Sequence, residues 1–240
     1  MIRELSEKKG KLHFTLIDPD KQSPEEAGKL AAAAERSGSD AIMIGGSTAG
    51  HKVTDEVTVA VKKACKLPTI LFPGASQGLS PNADYIFWMM LMNSNNRRFL
   101  VGEQVKAAPL LAKTKVKPIP MGYIVVSTSS KPTTVERIGE VDKITSSDVG
   151  KVVAYALTAQ YYGMECVYLE AGSGAEKPVP ANMITAVKKA VTIPIIVGGG
   201  IRDGKEAAEI ANAGADAIVT GTIVEKDPTK LKSIIDSIKR

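Results

Sequence analysis

Cysteine is nearly absent: the 240 residues contain two, Cys65 and Cys166. They stand far apart, each inside an apolar-patterned segment. Both are therefore expected as reduced core thiols of a cytoplasmic protein rather than as a disulfide framework. Histidine is equally scarce. Neither His13 nor His51 falls at metal-ligand spacing from a cysteine, which argues against a His/Cys metal site. No run of about 18 uncharged apolar residues occurs, so no membrane-spanning helix is expected. The first residues, Met1-Ile2-Arg3-Glu4-Leu5-Ser6-Glu7-Lys8-Lys9, mix acids with bases and lack the apolar core of a signal peptide.

What is present is ordinary for a soluble domain: 44% hydrophobic residues and 24% charged. The net charge is +5 and the pI about 9.0. This mild basicity suits anionic ligands or an anionic surface without proving either. No linker or charge block divides the chain, and its length is that of one α/β barrel. Residues 1–240 are read as a single domain.

Short apolar runs alternate with helix-length segments, the pattern of βαβ units around a parallel sheet. Strands are expected at 12–17, 40–44, 69–72, 84–89, 119–126, 165–169, 194–197 and 216–220. Helices are expected at 24–37, 55–65, 102–114, 147–163, 181–191, 205–213 and 229–239. Ser23 serves as N-cap of the first helix, with Pro24 at its first position. Between the third and fourth strands, Pro73-Gly74-Ala75-Ser76-Gln77-Gly78-Leu79-Ser80-Pro81 is too rich in Gly, Pro and Ser for a crossover helix. The fold class expected is therefore α/β, a modified (β/α)8 barrel whose third helix is lost. Residues 37–46 and 213–222 echo each other as Gly, Asp, buried strand, Gly, through either duplication or convergence of βα junctions.

In such barrels ligands sit at the C-terminal ends of the strands. Gly198-Gly199-Gly200 after the seventh strand and Gly221-Thr222 after the eighth fit a phosphate site, where backbone N–H groups need close approach and a side chain would be in the way. The competing reading is a tight turn. A side chain at 199 is expected to block the anion at little cost in stability, provided the backbone φ there is an ordinary one. On the sixth strand, alternation puts Tyr168 and Glu170 on one face. Glu170 is a candidate general base, with a structural ion pair as the alternative. Asp18, followed by Pro19, Asp20 and Lys21, offers a hard oxygen for Mg²⁺, with Ser47 nearby; a simple turn explains the same residues. His13 reads as a satisfied core histidine, and His51 as an exposed loop residue. Met89-Met90-Leu91-Met92 is an apolar, adaptable run suited to a variable apolar ligand, to packing or to an oligomer contact.

His13-Phe14-Thr15-Leu16-Ile17-Asp18-Pro19-Asp20-Lys21, Ile44-Gly45-Gly46-Ser47, Tyr168-Leu169-Glu170-Ala171-Gly172-Ser173-Gly174, Gly198-Gly199-Gly200-Ile201-Arg202 and Gly221-Thr222 together resemble the geranylgeranylglyceryl phosphate synthase family, in its larger archaeal-type subgroup. The resemblance covers essentially the whole chain. It implies a barrel with an extended segment in place of the third helix, and Mg²⁺ held through Asp18 and Ser47. It implies a glycerol 1-phosphate site made by Tyr168, Leu169, Glu170, Ala171, Gly172, Ser173, Gly174, Gly198, Gly199, Gly221 and Thr222, with Glu170 and Tyr168 catalytic. The partners implied are glycerol 1-phosphate and a polyprenyl diphosphate, together with a homo-oligomer (hexamer or dimer); a peripheral membrane contact stays open, and no nucleic acid is expected. Asn96-Arg97-Arg98 departs from the family pattern, where a less charged, aromatic-containing stretch is usual. Two other readings stay open: a phosphosugar isomerase or aldolase, which needs a further acid/base or a catalytic Lys in the mouth, and a non-catalytic phosphometabolite-binding barrel.

Overall fold

Residues 1–46, 48–226 and 229–239 are described by a computed structural model, without the side chains of 225 and 226. Eight strands pair in order and in parallel, and the last returns to the first. They are β1 (Leu12–Ile17), β2 (Ala41–Ile44), β3 (Thr69–Leu71), β4 (Tyr85–Leu91), β5 (Lys117–Val125), β6 (Cys166–Glu170), β7 (Ile195–Gly198) and β8 (Ala217–Thr220). The helices are α1 (Ile2–Lys9), α2 (Pro24–Ser37), α3 (His51–Ala64), α4 (Glu103–Leu111), α5 (Thr134–Gly139), α6 (Val149–Tyr161), α7 (Ala181–Ala190), α8 (Gly204–Ala213), α9 (Thr222–Lys226) and α10 (Thr229–Ile238). Residues 72–84 contain no helix. The closed barrel and its missing third crossover helix agree with the sequence expectation. No described helix is long and apolar enough to cross a membrane.

Alternation along the strands separates two kinds of core. Leu12, Phe14, Met43, Phe87, Met121 and Tyr168 fill the barrel interior. Their neighbours one residue away, such as Ile42, Ile44 and Leu169, pack outward against the helix layer. The Met89–Met92 run divides in the same way. Met89 and Leu91 face inward, while Met92 is buried under the outer layer with Ala156 and Ala159 of α6. His13 is fully buried between Ser39 Oγ (3.1 Å) and Thr220 Oγ1 (3.0 Å). Burial depresses its pKa to about 3, so it is a neutral core group, as expected. Both cysteines are buried and free.

Local chemistry explains most boundaries. Ser23 and Glu26 close a capping box on α2, the Ser23 N–H donating to Glu26 Oε2 at 3.0 Å and the Glu26 N–H to Ser23 Oγ at 3.3 Å. The helix expected at 102–114 is present as α4, Glu103–Leu111, and is preceded by a π-helical turn over Arg98–Gly102. His51 is a correction: it opens α3 rather than lying in a loop, and its Nδ1 is 2.6 Å from the Leu79 carbonyl. Three helices were not expected, α1, α5 and α9. For α1 the reason is tertiary: its burial centres on Ile2, which joins the barrel-interior cluster. For α5 a local signal existed, because Thr133 and Glu136 form a second capping box.

Candidate active site

A cavity of about 440 Å³ opens at the C-terminal mouth of the barrel. Its polar floor begins at β1. Asp18 Oδ1 accepts the Asp20 N–H at 3.1 Å, and Oδ2 lies 3.2 Å from Lys21 Nζ. The segment is thus a turn, and it also presents a carboxylate to the cavity. Gly46, at the end of β2, makes this possible: a Cβ there would lie 2.4 Å from Asp18 Oδ1. Ser47 lies outside the described residues. Among the described residues, no group of three or more His, Cys, Asp or Glu gathers as a metal site. A cation at Asp18 would have to take its remaining ligands from elsewhere, as Mg²⁺ commonly does from water and phosphate oxygens.

At the end of β6, Tyr168 and Glu170 both turn inward, as alternation requires. Glu170 is 6% exposed. Its Oε1 accepts the Gly172 N–H at 2.6 Å and its Oε2 accepts the Tyr123 hydroxyl at 3.3 Å. No Lys or Arg pairs with it among the described residues, so the structural ion pair once open as an alternative is not found. Burial raises the carboxyl pKa, partly offset by the Gly172 N–H and the Tyr123 and Tyr168 hydroxyls. A carboxylate held in this way is a better proton acceptor than an exposed one.

Three rings surround it. Phe72 stacks on Tyr168 with centroids 5.5 Å apart, and Tyr123 stands edge-on to both, at 5.5 Å from Phe72 and 5.4 Å from Tyr168. The sequence reading singled out neither Phe72 nor Tyr123. Tyr123 lies in the middle of an apolar strand, and only the β5–β6 register, which sets Tyr123 beside Tyr168, reveals its place.

The loops after β6, β7 and β8 converge on the same cavity, β8 lying next to β1 in the barrel. Ser173, Gly174, Gly199, Gly200, Gly221 and Thr222 all line the cavity, and Ser173 Oγ lies 3.3 Å from Thr222 Oγ1. Arg202 ties the first two loops together by donating to the carbonyls of Ala175 (2.8 Å) and Glu176 (2.6 Å). Gly199 has φ +84°, and a Cβ there would lie 2.4 Å from Glu170 Oε1 and 2.6 Å from the Gly172 nitrogen. The condition of an ordinary φ at 199 therefore fails, and with it the expectation of a cheap substitution. Four other candidates sit beside the cavity rather than on its wall. The Leu169 and Ala171 side chains pack into the outer core. Gly172 acts through its N–H on Glu170, and a Cβ on Gly198 would meet the Tyr168 hydroxyl at 2.0 Å.

The remainder of the cavity is mostly apolar, with Ser76, Glu103, Gln104 and Thr134 among its lining. Leu79, Trp88, Met89 and Leu91 line it from the β3–β4 side, Phe99 and Ala107 from the π turn and α4, and Val135 and Ile138 from α5. One chamber thus joins a cluster of glycine-rich loops, a buried carboxylate and a largely apolar arm.

Comparison with known proteins agrees with this arrangement. The chain is 49% identical over 240 residues to the geranylgeranylglyceryl phosphate synthase of Pyrococcus horikoshii, covering 100% of this chain and 91% of that one. It is 47% identical to the enzyme of the same name from Thermoplasma volcanium, covering 100% and 94%. Among solved structures it superposes with a TM-score of 0.95 on (S)-3-O-geranylgeranylglyceryl phosphate synthase from Thermoplasma acidophilum in complex with sn-glycerol-1-phosphate, at 43% identity and covering 100% and 98% of the two chains. The sequence profile of the PcrB family matches residues 3–239, from α1 through α10, and the chain belongs to that family.

Proposed function

We propose that this chain is a prenyltransferase that joins the 3-hydroxyl of sn-glycerol 1-phosphate to a polyprenyl diphosphate, geranylgeranyl diphosphate being the donor that the relatives' names indicate. One observation carries the reading: Glu170, buried and with a raised pKa, sits between an anion cradle and an apolar arm of the same cavity. A phosphosugar isomerase would use the cradle and leave the arm without purpose.

The glycerol phosphate would rest its phosphate on the backbone N–H groups around Gly199, Gly200 and Gly221 and on the hydroxyls of Ser173 and Thr222. In that pose its 3-hydroxyl would point toward Glu170. The bond from the prenyl C1 to the diphosphate oxygen breaks, the diphosphate leaves with the electron pair, and C1 gains allylic cation character. The glycerol 3-oxygen then bonds to C1, and its proton passes to Glu170. The Phe72, Tyr123 and Tyr168 rings and the apolar arm keep water from the cation, which would otherwise yield the free alcohol. Mg²⁺, where bound, would supply positive charge against the departing diphosphate; Asp18 is the residue that would hold it, with Ser47 the second expected ligand.

The direct test incubates the protein with labelled glycerol 1-phosphate, geranylgeranyl diphosphate and Mg²⁺ and measures label extracted into organic solvent. Failure to form such a product overturns the assignment. Asp18→Asn is expected to raise the KM for the prenyl diphosphate by ~10-fold or more and that for glycerol 1-phosphate by under ~3-fold. Equal effects on both substrates would remove Asp18 from the diphosphate end.

Tyr123 gives a pH prediction. Its hydroxyl helps hold Glu170 ionised against the effect of burial. Activity should therefore rise with pH as Glu170 loses its proton, along a limb above the ordinary carboxylate range. Tyr123→Phe removes a donor from the ionised form, so the limb moves to higher pH. A kcat/KM profile with an unmoved limb would show that Tyr123 only packs there.

A further inference from the structure

The reaction leaves one charged side chain of the β1 turn without a part, Lys21. Its backbone is pinned at the strand end: the Lys21 N–H donates to the Asp18 carbonyl at 3.0 Å, and the neighbouring Asp20 carboxylate accepts the Thr48 hydroxyl from the loop after β2. The Lys21 side chain, half-exposed, lines the cavity and sets Nζ 3.2 Å from Asp18 Oδ2. An ion pair this open to solvent is weak enough for a divalent ion to displace.

Gly46 leaves Asp18 uncovered, since a Cβ there would lie 2.4 Å from Oδ1 and 3.3 Å from Oδ2. A Mg²⁺ ion held by one carboxylate has half its charge neutralised, and a diphosphate bound to it then gains from a further cation. Besides Lys21, the described cations that line the cavity are Arg202 and Lys230. Arg202 is committed to the carbonyls of Ala175 and Glu176, and Lys230 belongs to α10, beyond the β8 loop. Lys21 is the cation that stands beside Asp18.

We infer that Lys21 binds the diphosphate of the prenyl donor and is held in reserve on Asp18 until that carboxylate ligates a metal ion. Lysine and metal compete for Asp18 when no diphosphate is present and act together once it is. Metal and diphosphate therefore bind with a positive coupling to which Lys21 contributes. The inference rests on the reading of Asp18 as the diphosphate end.

Calorimetry on the full chain reads that coupling without turnover, with Mn²⁺, inorganic pyrophosphate and their preformed complex as titrants. Association of the two in solution is common to every variant and cancels between them. Lys21→Met is expected to bind Mn²⁺ alone ~3-fold more tightly and the complex ~10-fold more weakly, with pyrophosphate alone changed by under ~3-fold. The coupling therefore falls by ~10-fold or more. A lysine that merely stands nearby would shift the two single affinities in opposite directions and leave the coupling unchanged, and that result would overturn the inference. Lys21→Arg keeps the charge and should hold the coupling within ~3-fold of the wild type; a loss equal to that of Lys21→Met would count against the inference as well. Asp18→Asn tells the two readings apart. Unchanged Mn²⁺ binding in it means that the metal end is misplaced and both fail. Loss of Mn²⁺ binding in it, with full coupling kept by Lys21→Met, removes only the role of Lys21.

Discussion

Glu170→Gln is expected to leave a folded protein that binds glycerol 1-phosphate within about an order of magnitude of the wild type but turns over at least ~100-fold more slowly, the scale of losing a general base. The amide is nearly isosteric, and its oxygen can still accept the Gly172 N–H that now meets Oε1 at 2.6 Å. What it cannot do is take the proton from the glycerol hydroxyl. Steady-state kinetics with calorimetric binding of glycerol 1-phosphate separates the two effects, and near-wild-type turnover would exclude Glu170 as the base. Stability carries an independent sign. The folded pKa of Glu170 is raised by burial, so its contribution to stability is present at low pH and lost as pH rises through that folded value. The wild type should therefore lose melting temperature over that window relative to the Gln variant.

Gly199→Val is expected to abolish detectable glycerol 1-phosphate binding and to lower stability as well. The site sits at φ +84°, a region β-branched residues avoid, and the first side-chain atom would fall within 2.4 Å of Glu170 Oε1. Strain and overpacking together are worth about 2–5 kcal/mol, or roughly 5–15 °C in melting temperature for a chain of this size. Part of the loss would come through Glu170, displaced from the Gly172 N–H. A variant that melts like the wild type and still binds the phosphate would refute both the cradle and the crowding. The position is thus constrained twice, by the anion in front and the carboxylate behind.

Much of the architecture was legible in periodicity. The limits of β1 and α2 coincide with the expected ones, because Ser23, Pro24 and Glu26 mark the helix start locally and the apolar run of β1 is bounded by polar turns. The Gly, Pro and Ser content of residues 73–81 was enough to remove a helix from the barrel. Periodicity was weakest where the partner lies far away in sequence. The burial of α1 centres on one residue, Ile2, which only the barrel interior gives a place. The start of α3 at His51, rather than four residues later, goes with a contact to the Leu79 carbonyl across the helix-free segment.

The sequence by itself determined the barrel, the strand ends at which Asp18, Glu170, Gly199 and Gly221 stand, and the inward direction of Tyr168 and Glu170. Each of these follows from local propensity or from the two-residue repeat of a strand, which short-range chemistry dictates. Tertiary structure alone decided that Tyr123 from β5 meets Glu170 from β6, that Phe72 stacks on Tyr168, and that Gly46 makes room for Asp18. It also decided that the loops after β6, β7 and β8 meet around one cavity with Asp18. These are relations between segments tens of residues apart. They depend on the register in which the strands pair and on the closure of the sheet, which bring the side chains within reach of one another.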